Sequence, residues 1–367
     1  MALTTVSPGL LDSTAQYYGF KNRIINGAMV IDQRNAGAAI TVNSNTGTQF
    51  GADRFLVQGT SAEGVFTAQQ LSATPPTGFR NYVRIQTTTA SASPASGSLY
   101  AMSQIIEGFN IADLGFGAAG ASTVTFSFWI RSSLTGTFSG SLKNGNAYNR
   151  SYPFTYTISA ANTWEYKTVT VAGDTSGTWQ TGNLGGLIVY WDLGCGSSLL
   201  STANSWQGAN YNGVTGSTRL ISTLNATLDI TGVQLEKGST ATSFDYRPYG
   251  TELALCQRYF EKSQPQGSAV AGGTAEYFFI GSNFRGSSLL MRYPLKWAVT
   301  KRAQPTVTFY NPRSGGTASQ ITTASADYSG TTAANTLDSG MEVQGTTNSG
   351  GASGDPAYVN WTASIEL

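Results

Sequence analysis

The run STVTFSFWIRSS alternates apolar and polar positions along its whole length. Val124, Phe126, Phe128 and Ile130 share one face, while Thr125, Ser127, Trp129 and Arg131 share the other, which is the period-two pattern of a strand. TWEYKTVTV (163–171), GGLIVYWDLG (185–194) and NATLDITGVQLE (225–236) follow it, with Gly232 placed for a β-bulge. Asn144-Gly145 has the chemistry of a hairpin turn, and SPASG and GDTSG that of other tight turns. After residue 264 the strands return. SLLMRYPLKWAV puts Leu289, Met291, Tyr293, Leu295 and Trp297 on one face, and YVNWTASIEL does the same for Val359, Trp361, Ala363 and Ile365. No fixed-period repeat is present, which argues against a solenoid, a propeller or a long β-helix.

One stretch departs from this pattern. Residues 252–262 read as a short helix capped by Thr251, with Leu253, Cys256 and Phe260 on a stripe that Leu255 and Tyr259 widen. A shorter helical turn is expected within 103–115. The turn Arg247-Pro248-Tyr249-Gly250 ends the first β region. The expected organisation is an arm at 1–21, a β domain at 22–248, a helical joint at 249–263 and a β-sandwich at 264–367. The joint's apolar stripe is expected to be buried between the β units or at a subunit seam.

Composition changes the picture mainly by exclusion. Charged residues are 11% of the chain, against about 25% in an average globular protein. The net charge is +1 and there is no basic run, so nothing points to nucleic acid. Apolar residues at 40% are enough to build cores. The chain has no histidine, which removes Ser-His and Cys-His nucleophile pairs and the usual zinc ligand. Its two cysteines, Cys195 and Cys256, read as buried free thiols. No run approaches the about 20 apolar residues of a membrane-spanning helix. The first residues carry no positive charge before Lys21 and no signal-peptide core, which predicts synthesis in the cytoplasm.

Several blocks, in order, carry a resemblance: KNRIINGAMVIDQRNAG, ADRF, QIIEGFNIADLGFG, VTFSFWIRSSLTGTFSGSL, TWEYKTVTVAGDTSGTW and ITGVQLEKGSTATSFDYRPYGTELALCQRYFEK. Together they resemble tail-fibre or head-fibre adhesins of marine and cyanobacterial phages. The central region also resembles the jelly roll of carbohydrate-binding modules. The resemblance spans 21–262 and is loose over 264–355. It implies a non-enzymatic virion component, usually a homotrimer, fastened to other virion proteins by its N-terminal arm and released by host lysis. The fold class expected is therefore all-β: a jelly-roll β-sandwich, a short helical joint and a C-terminal β-sandwich. The function expected is attachment to a host-surface glycan. The rival readings are a purely structural virion part and a polysaccharide depolymerase, the latter disfavoured by the missing repeat.

Candidate glycan-binding residues follow. Trp129 and Arg131 lie out of phase with the core stripe, where an aromatic ring can stack on the C–H face of a sugar. The competing reading, favoured by the burial habit of tryptophan, is that this face is itself covered. Tyr190 and Asp192 are out of phase with Leu187, Val189, Trp191 and Leu193 and are the next candidates for the same surface, with the same competing and favoured reading that their face is covered. Tyr148, Trp206 and Tyr211 sit in loop-like stretches. Tyr310 and Tyr358 flank the Gly/Ser/Thr-rich loops at 313–320 and 346–355, the expected receptor-contact region of the distal domain. Asp53, Asp229 and Glu236 offer the oxygen chemistry of a calcium site, which only the resemblance suggests. No catalytic residue and no other cofactor is expected.

Overall fold

The structure is a computed structural model that describes residues 21–268, 270, 279–282, 290–313, 320–322, 327–329, 331–346 and 356–367. The arm expected at 1–21, apart from Lys21, and most of both distal loops lie outside the described residues. The chain divides into two compact units. The first comprises Met1–Val30, Ile40–Gly51 and Phe55–Pro248; the second comprises Ile31–Ala39, Ala52–Arg54 and Tyr249–Leu367. Two short N-terminal segments and the helix thus group with the C-terminal strands, an arrangement that a linear reading of the strand pattern does not contain.

The first unit is a jelly-roll β-sandwich of two six-stranded sheets. One sheet has the order β1 (Ile40–Val42), β4 (Val65–Leu71), β5 (Tyr82–Thr89), β14 (Thr227–Lys237), β7 (Val124–Ser132) and β10 (Glu165–Val171). The other has the order β2 (Gln49–Ala52), β3 (Phe55–Gly59), β6 (Tyr100–Glu107), β11 (Gly185–Asp192), β8 (Gly136–Asn144) and β9 (Ser151–Ile158). Val124, Phe126, Phe128 and Ile130 of β7 are fully buried, as are Leu187, Val189 and Trp191 of β11. Trp191 packs against Phe126 and Phe128 with ring centroids 5.3 and 5.5 Å apart, which ties the two sheets together. The helical turn expected within 103–115 consists of two single 3-10 turns, Gly108–Asn110 and Ala112–Leu114, placed after β6 ends.

The outer face of the second sheet is not open. A segment running from Cys195 to Ser222, which holds the short parallel pair β12 (Leu200–Ser201) and β13 (Gly213–Val214), lies across it. Its links to the sheet include Val214 N–H donating to Ser139 Oγ, Thr218 N–H donating to the Thr137 carbonyl and Ile221 N–H donating to the Leu193 carbonyl. On the side of β11 away from the core, Tyr190 and Asp192 are buried beneath this cover, through Lys143 with Asn210 and Asn212 and through Ser217.

The second unit is a smaller β-sandwich with one helix. Its strands are β15 (Phe260–Lys262), β16 (Phe279–Ser282), β17 (Leu290–Lys296), β18 (Thr306–Tyr310), β19 (Gln320–Thr322), β20 (Asp327–Ser329), β21 (Thr332–Ala334), β22 (Gly340–Thr346), β23 (Pro356–Tyr358) and β24 (Asn360–Ser364). They form sheets β15-β24-β18, β16-β23-β19-β20 and β17-β22-β21. Tyr293, Leu295, Trp297, Val359, Trp361 and Ala363 from the alternating runs are all in its core.

Helix α1 (Tyr249–Gln257) buries Glu252 and Cys256, and the chain then buries Tyr259 and Phe260. Leu253 and Leu255 are only half-buried, so the apolar stripe read from the sequence is shifted in the structure. The helix ends sooner than the pattern suggested, because residues 260–262 pair as a strand with Ser364, Ala363 and Thr362. The two N-terminal segments bring charge into this unit. Glu366 receives Arg54 and Arg34, and Asp53 accepts hydrogen bonds from Gln33 and Arg34. The Arg54 guanidinium stacks 3.6 Å from the Tyr259 ring centroid and that of Arg34 stacks 3.8 Å from the Phe260 ring centroid.

Candidate functional site

The exposed side of the first sheet carries a cleft of about 430 Å³. Its floor is a cross-strand pair. Tyr166 of β10 stands opposite Trp129 of β7, with ring centroids 5.4 Å apart. Ser127 and Gly232 extend the floor. The wall is a second aromatic group, Phe79, Phe244 and Tyr246, with centroid separations of 4.7 to 5.5 Å. Five rings therefore surround one opening, and among the described residues no Asp, Glu, Lys or Arg side chain lines it.

Local sequence explains each part. The register of β14 against β7 shifts between Thr231 and Gln234, the bulge that Gly232 implies. Gly232 has φ 61°, and a Cβ there would come within 2.7 Å of Phe79 and 2.9 Å of Trp129. Glycine thus provides both the left-handed backbone and the space for the two rings. The segment after β14 is fastened back onto the outer polar residues of that strand. Thr242 donates to Glu236 from its backbone N–H at 2.9 Å and from its hydroxyl at 2.6 Å. Asp245 N–H donates to Gln234 Oε1 at 2.8 Å, and Tyr246 O–H donates to the Gly78 carbonyl at 2.6 Å. The wall is held in place by hydrogen bonds, so the cleft is formed before any ligand arrives.

Arg131 lies beside the cleft on the same face but is fixed by the protein. It pairs with Asp229 at 2.7 Å and donates to Thr74 Oγ1 at 3.0 Å. Its guanidinium lies 4.7 Å from the Trp164 ring centroid. Trp129 and Arg131 are therefore neighbours in different settings: Trp129 lines the cleft, and Arg131 is tied to Asp229 and Thr74.

Tyr190 and Asp192 are not on this surface, which corrects their candidacy for it and agrees with the competing reading of a covered face. They belong to the other sheet, beneath the 195–222 cover. Asp192 accepts from the backbone N–H groups of Gly194 and Cys195 and from Ser139 Oγ, so it shapes the turn after β11. Tyr190 supports the buried ammonium of Lys143, 3.9 Å from its ring centroid. Lys143 also donates to Asn210 Oδ1 at 2.8 Å and to Asn212. Burial lowers the Lys143 amine to about 7 and raises the Tyr190 phenol above its ordinary value.

Tyr310 and Tyr358 lie in the second unit, on β18 and β23 in different sheets, both half-buried. The loops they flank fall outside the described residues at 314–319 and 347–355. Tyr148 is exposed. Trp206 packs edge-on against Trp179 and Tyr152, and half-buried Tyr211 donates its backbone N–H to Ser151 Oγ.

The three carboxylates considered for calcium do not fit that role. Asp229 binds two arginines, Glu236 binds Thr242 and Gln234, and Asp53 binds Gln33 and Arg34. Among the described residues no three Asp, Glu, Cys or His side chains converge as metal ligands. Asp53 is pushed up to about 6 by burial, against the pull of Arg34 and Gln33. At 1% exposure it has no room for a substrate, so the shift reflects packing rather than acid–base chemistry.

The wall of the cleft was missed by sequence reasoning. Phe79, Phe244 and Tyr246 sit in irregular stretches without periodicity, and Tyr166 is one of many alternating residues. Trp129, out of phase with its core stripe, was the signal that pointed to the floor, and the Gly232 bulge lies beside it.

An all-β chain with a preformed aromatic cleft on one sheet is the class that fold and site define. No protein-family profile and no curated protein matches the chain. Among solved structures, the active domain of bacteriophage CBA120 tailspike protein 4 is similar over 59% of this chain, at 12% identity and a TM-score of 0.29. The aligned part spans only 21% of that tailspike domain. A family 11 carbohydrate-binding module of Clostridium thermocellum, solved with a mixed-linked tetrasaccharide, aligns over 57% of this chain and 98% of its own. Its identity is 9% and its TM-score 0.27. The tandem CBM22 domains of Paenibacillus barcinonensis Xyn10C align over 92% of both chains, at 8% identity and a TM-score of 0.25. At these scores the likenesses carry no argument about what this chain binds.

Proposed function

We propose that the first unit binds a glycan, with a sugar ring stacked in the cleft floored by Trp129 and Tyr166, and that the chain is an attachment fibre of a phage virion. The observation that carries the binding reading is the set of five aromatic rings around one preformed opening of about 430 Å³. A pyranose ring presents apolar C–H patches to such rings, and its hydroxyls find partners at the rim in Ser243 and the Tyr166 phenol. The volume lies within the range of about 300–1,000 Å³ usual for small-ligand sites.

The virion reading rests on the ordered sequence blocks through 21–262. On this reading the protein is made in the host cytoplasm, joins other virion proteins as a homotrimer and is freed by lysis. Three weak sites on one fibre would gain about 10²–10⁴ in avidity. The protein binds without cutting. Glycoside hydrolysis needs two carboxyl groups about 5–10 Å apart across the bond, and among the described residues no carboxylate lines the cleft.

The test is a glycan array probed with the full chain and with Trp129→Ala. Signals that vanish in the variant are expected, together with loss of adsorption to host cells. A silent array with a folded protein, or signals indifferent to the substitution, would overturn this reading. Reducing-end release from a bound polysaccharide would overturn the non-enzymatic part.

A further inference from the structure

Next to the cleft, on the same outer face of the sheet, one row of side chains runs across four strands. Gln69 of β4 is paired with Arg84 of β5, Arg84 with Asp229 of β14, and Asp229 with Arg131 of β7. Trp164 continues the row at Arg131. Two arginines thus share one carboxylate. Arg84 donates to Asp229 through Nε at 2.7 Å and Nη2 at 2.9 Å, and Arg131 through Nε at 2.8 Å. The row carries one net positive charge.

The two arginines differ in access. The Asp229 side chain is 1% exposed and Arg131 13%, whereas Arg84 is 33% exposed. Arg84 uses only one edge of its guanidinium on Asp229, lies 5.8 Å from the Tyr82 ring centroid, and among the described residues its Nη1 group has no hydrogen-bond partner. The planar fork is therefore held rigidly by a buried carboxylate while donors remain toward solvent. That is the geometry suited to a carboxylate, sulfate or phosphate oxygen, and it is held before the ligand binds.

The position matters as much as the charge. Arg131 follows Trp129 by two residues on the same face, and Arg84 lies two strands further across. Strand geometry puts Arg84 about 12 Å from Trp129. An oligosaccharide anchored by one ring at Trp129 and Tyr166 can reach it with a later residue, while a single sugar cannot touch both.

Resting on the glycan reading of the cleft, we propose that the ligand is an acidic oligosaccharide. A neutral ring stacks at Trp129 and Tyr166, and an anionic substituent on a neighbouring residue is read by Arg84. The uncharged cleft supplies the anchor and the arginine row supplies the selectivity.

The experiment uses an array of acidic oligosaccharides, each matched with its carboxyl-reduced neutral form, and the full chain. Binding constants are measured at about 0.02 M and about 0.5 M salt. The acidic member of a pair is expected to bind about tenfold more tightly at low salt, as a charge-assisted hydrogen bond would give. That advantage should shrink at high salt, where screening shortens the reach of an exposed charge. Arg84→Gln should bring the two members level and leave binding of the neutral form unchanged. Neutral binding also shows that the variant is folded. Equal binding of both forms by the unaltered protein at both salt concentrations would overturn the proposal and leave the glycan reading standing. Silence toward every pair would overturn both.

Discussion

Trp129 and Tyr166 stand directly opposite each other across β7 and β10, with ring centroids 5.4 Å apart. A cross-strand aromatic pair on an outer face contributes about 0.5–1.5 kcal/mol to stability. Here it also floors a cleft, so the two contributions can be separated. Trp129→Ala is expected to cost the fold about 1 kcal/mol and glycan binding at least about tenfold. Trp129→Phe should recover much of both. Melting and titration of the two variants check this. A normal affinity in the alanine variant would remove Trp129 from the site.

Gly232 controls the same cleft from below. A Cβ there meets Phe79 at 2.7 Å and Trp129 at 2.9 Å, on a backbone with φ 61°. Gly232→Ala should therefore destabilise by about 1–3 kcal/mol and weaken ligand binding by displacing both rings. Gly238 is the control. It also has a positive φ, 120°, but an added Cβ meets nothing within 4 Å. Gly238→Ala should strain the backbone without touching affinity. Thermal melts and titrations on both variants separate strain from steric closure, and equal effects on binding would contradict it.

The strands were legible because period-two alternation is local. Val124 to Ile130 and Leu187 to Trp191 turned inward as their pattern required. What alternation does not carry is which sheet a strand joins or what covers its far side. Trp129 and Tyr190 have the same sequence signature, an aromatic residue out of phase with a core stripe. One lies on the exposed face of the first sheet and the other beneath a segment more than twenty residues long. The difference depends on where 195–222 crosses, and its Gly, Ser and Asn residues have no periodic pattern to reveal this. Arg34, Asp53 and Glu366 were obscure for a related reason. They are far apart in sequence and meet only because two short N-terminal segments group with the second unit.

That charge cluster predicts a pH dependence. Burial, opposed by Arg34 and Gln33, raises the Asp53 carboxyl from 3.8 to about 6. The folded state therefore holds this proton more tightly than the unfolded chain. Its contribution to stability is full below the unfolded value near 4 and is lost as pH rises through about 6. A shift of about two units corresponds to about 3 kcal/mol at most. Glu366 works in the opposite sense. Burial would raise it, but Arg54 and Arg34 hold it below its ordinary value, so its contribution is lost as pH falls through that lowered value. Denaturant titrations of the full chain and of Asp53→Asn between about pH 5 and 7.5 provide the check. The unaltered protein should lose stability relative to the variant as pH rises. Parallel curves would show that Asp53 titrates normally.

Lys143 makes the mirror-image case in the first unit. Its ammonium is enclosed by the Tyr190 ring, Asn210 and Asn212, with no carboxylate in ion-pair contact among the described residues. Burial lowers the amine from 10.5 to about 7. The unfolded chain then binds the proton more tightly than the folded one. The cost is full below about pH 7, where the charged form is buried, and fades as pH rises toward 10.5. The stability of the first unit should therefore increase from about pH 7 to 9. Lys143→Met keeps a flexible stem against Tyr190 but removes the charge. It leaves the two asparagine carbonyls unpaired, a loss of about 1–3 kcal/mol each that does not vary with pH. The variant should melt lower than the unaltered protein near pH 9, with the gap narrowing toward pH 7 as protonation of Lys143 destabilises only the unaltered chain. A gap that stays constant over this range would mean that the amine remains charged throughout and that its two asparagine partners fully compensate for its burial.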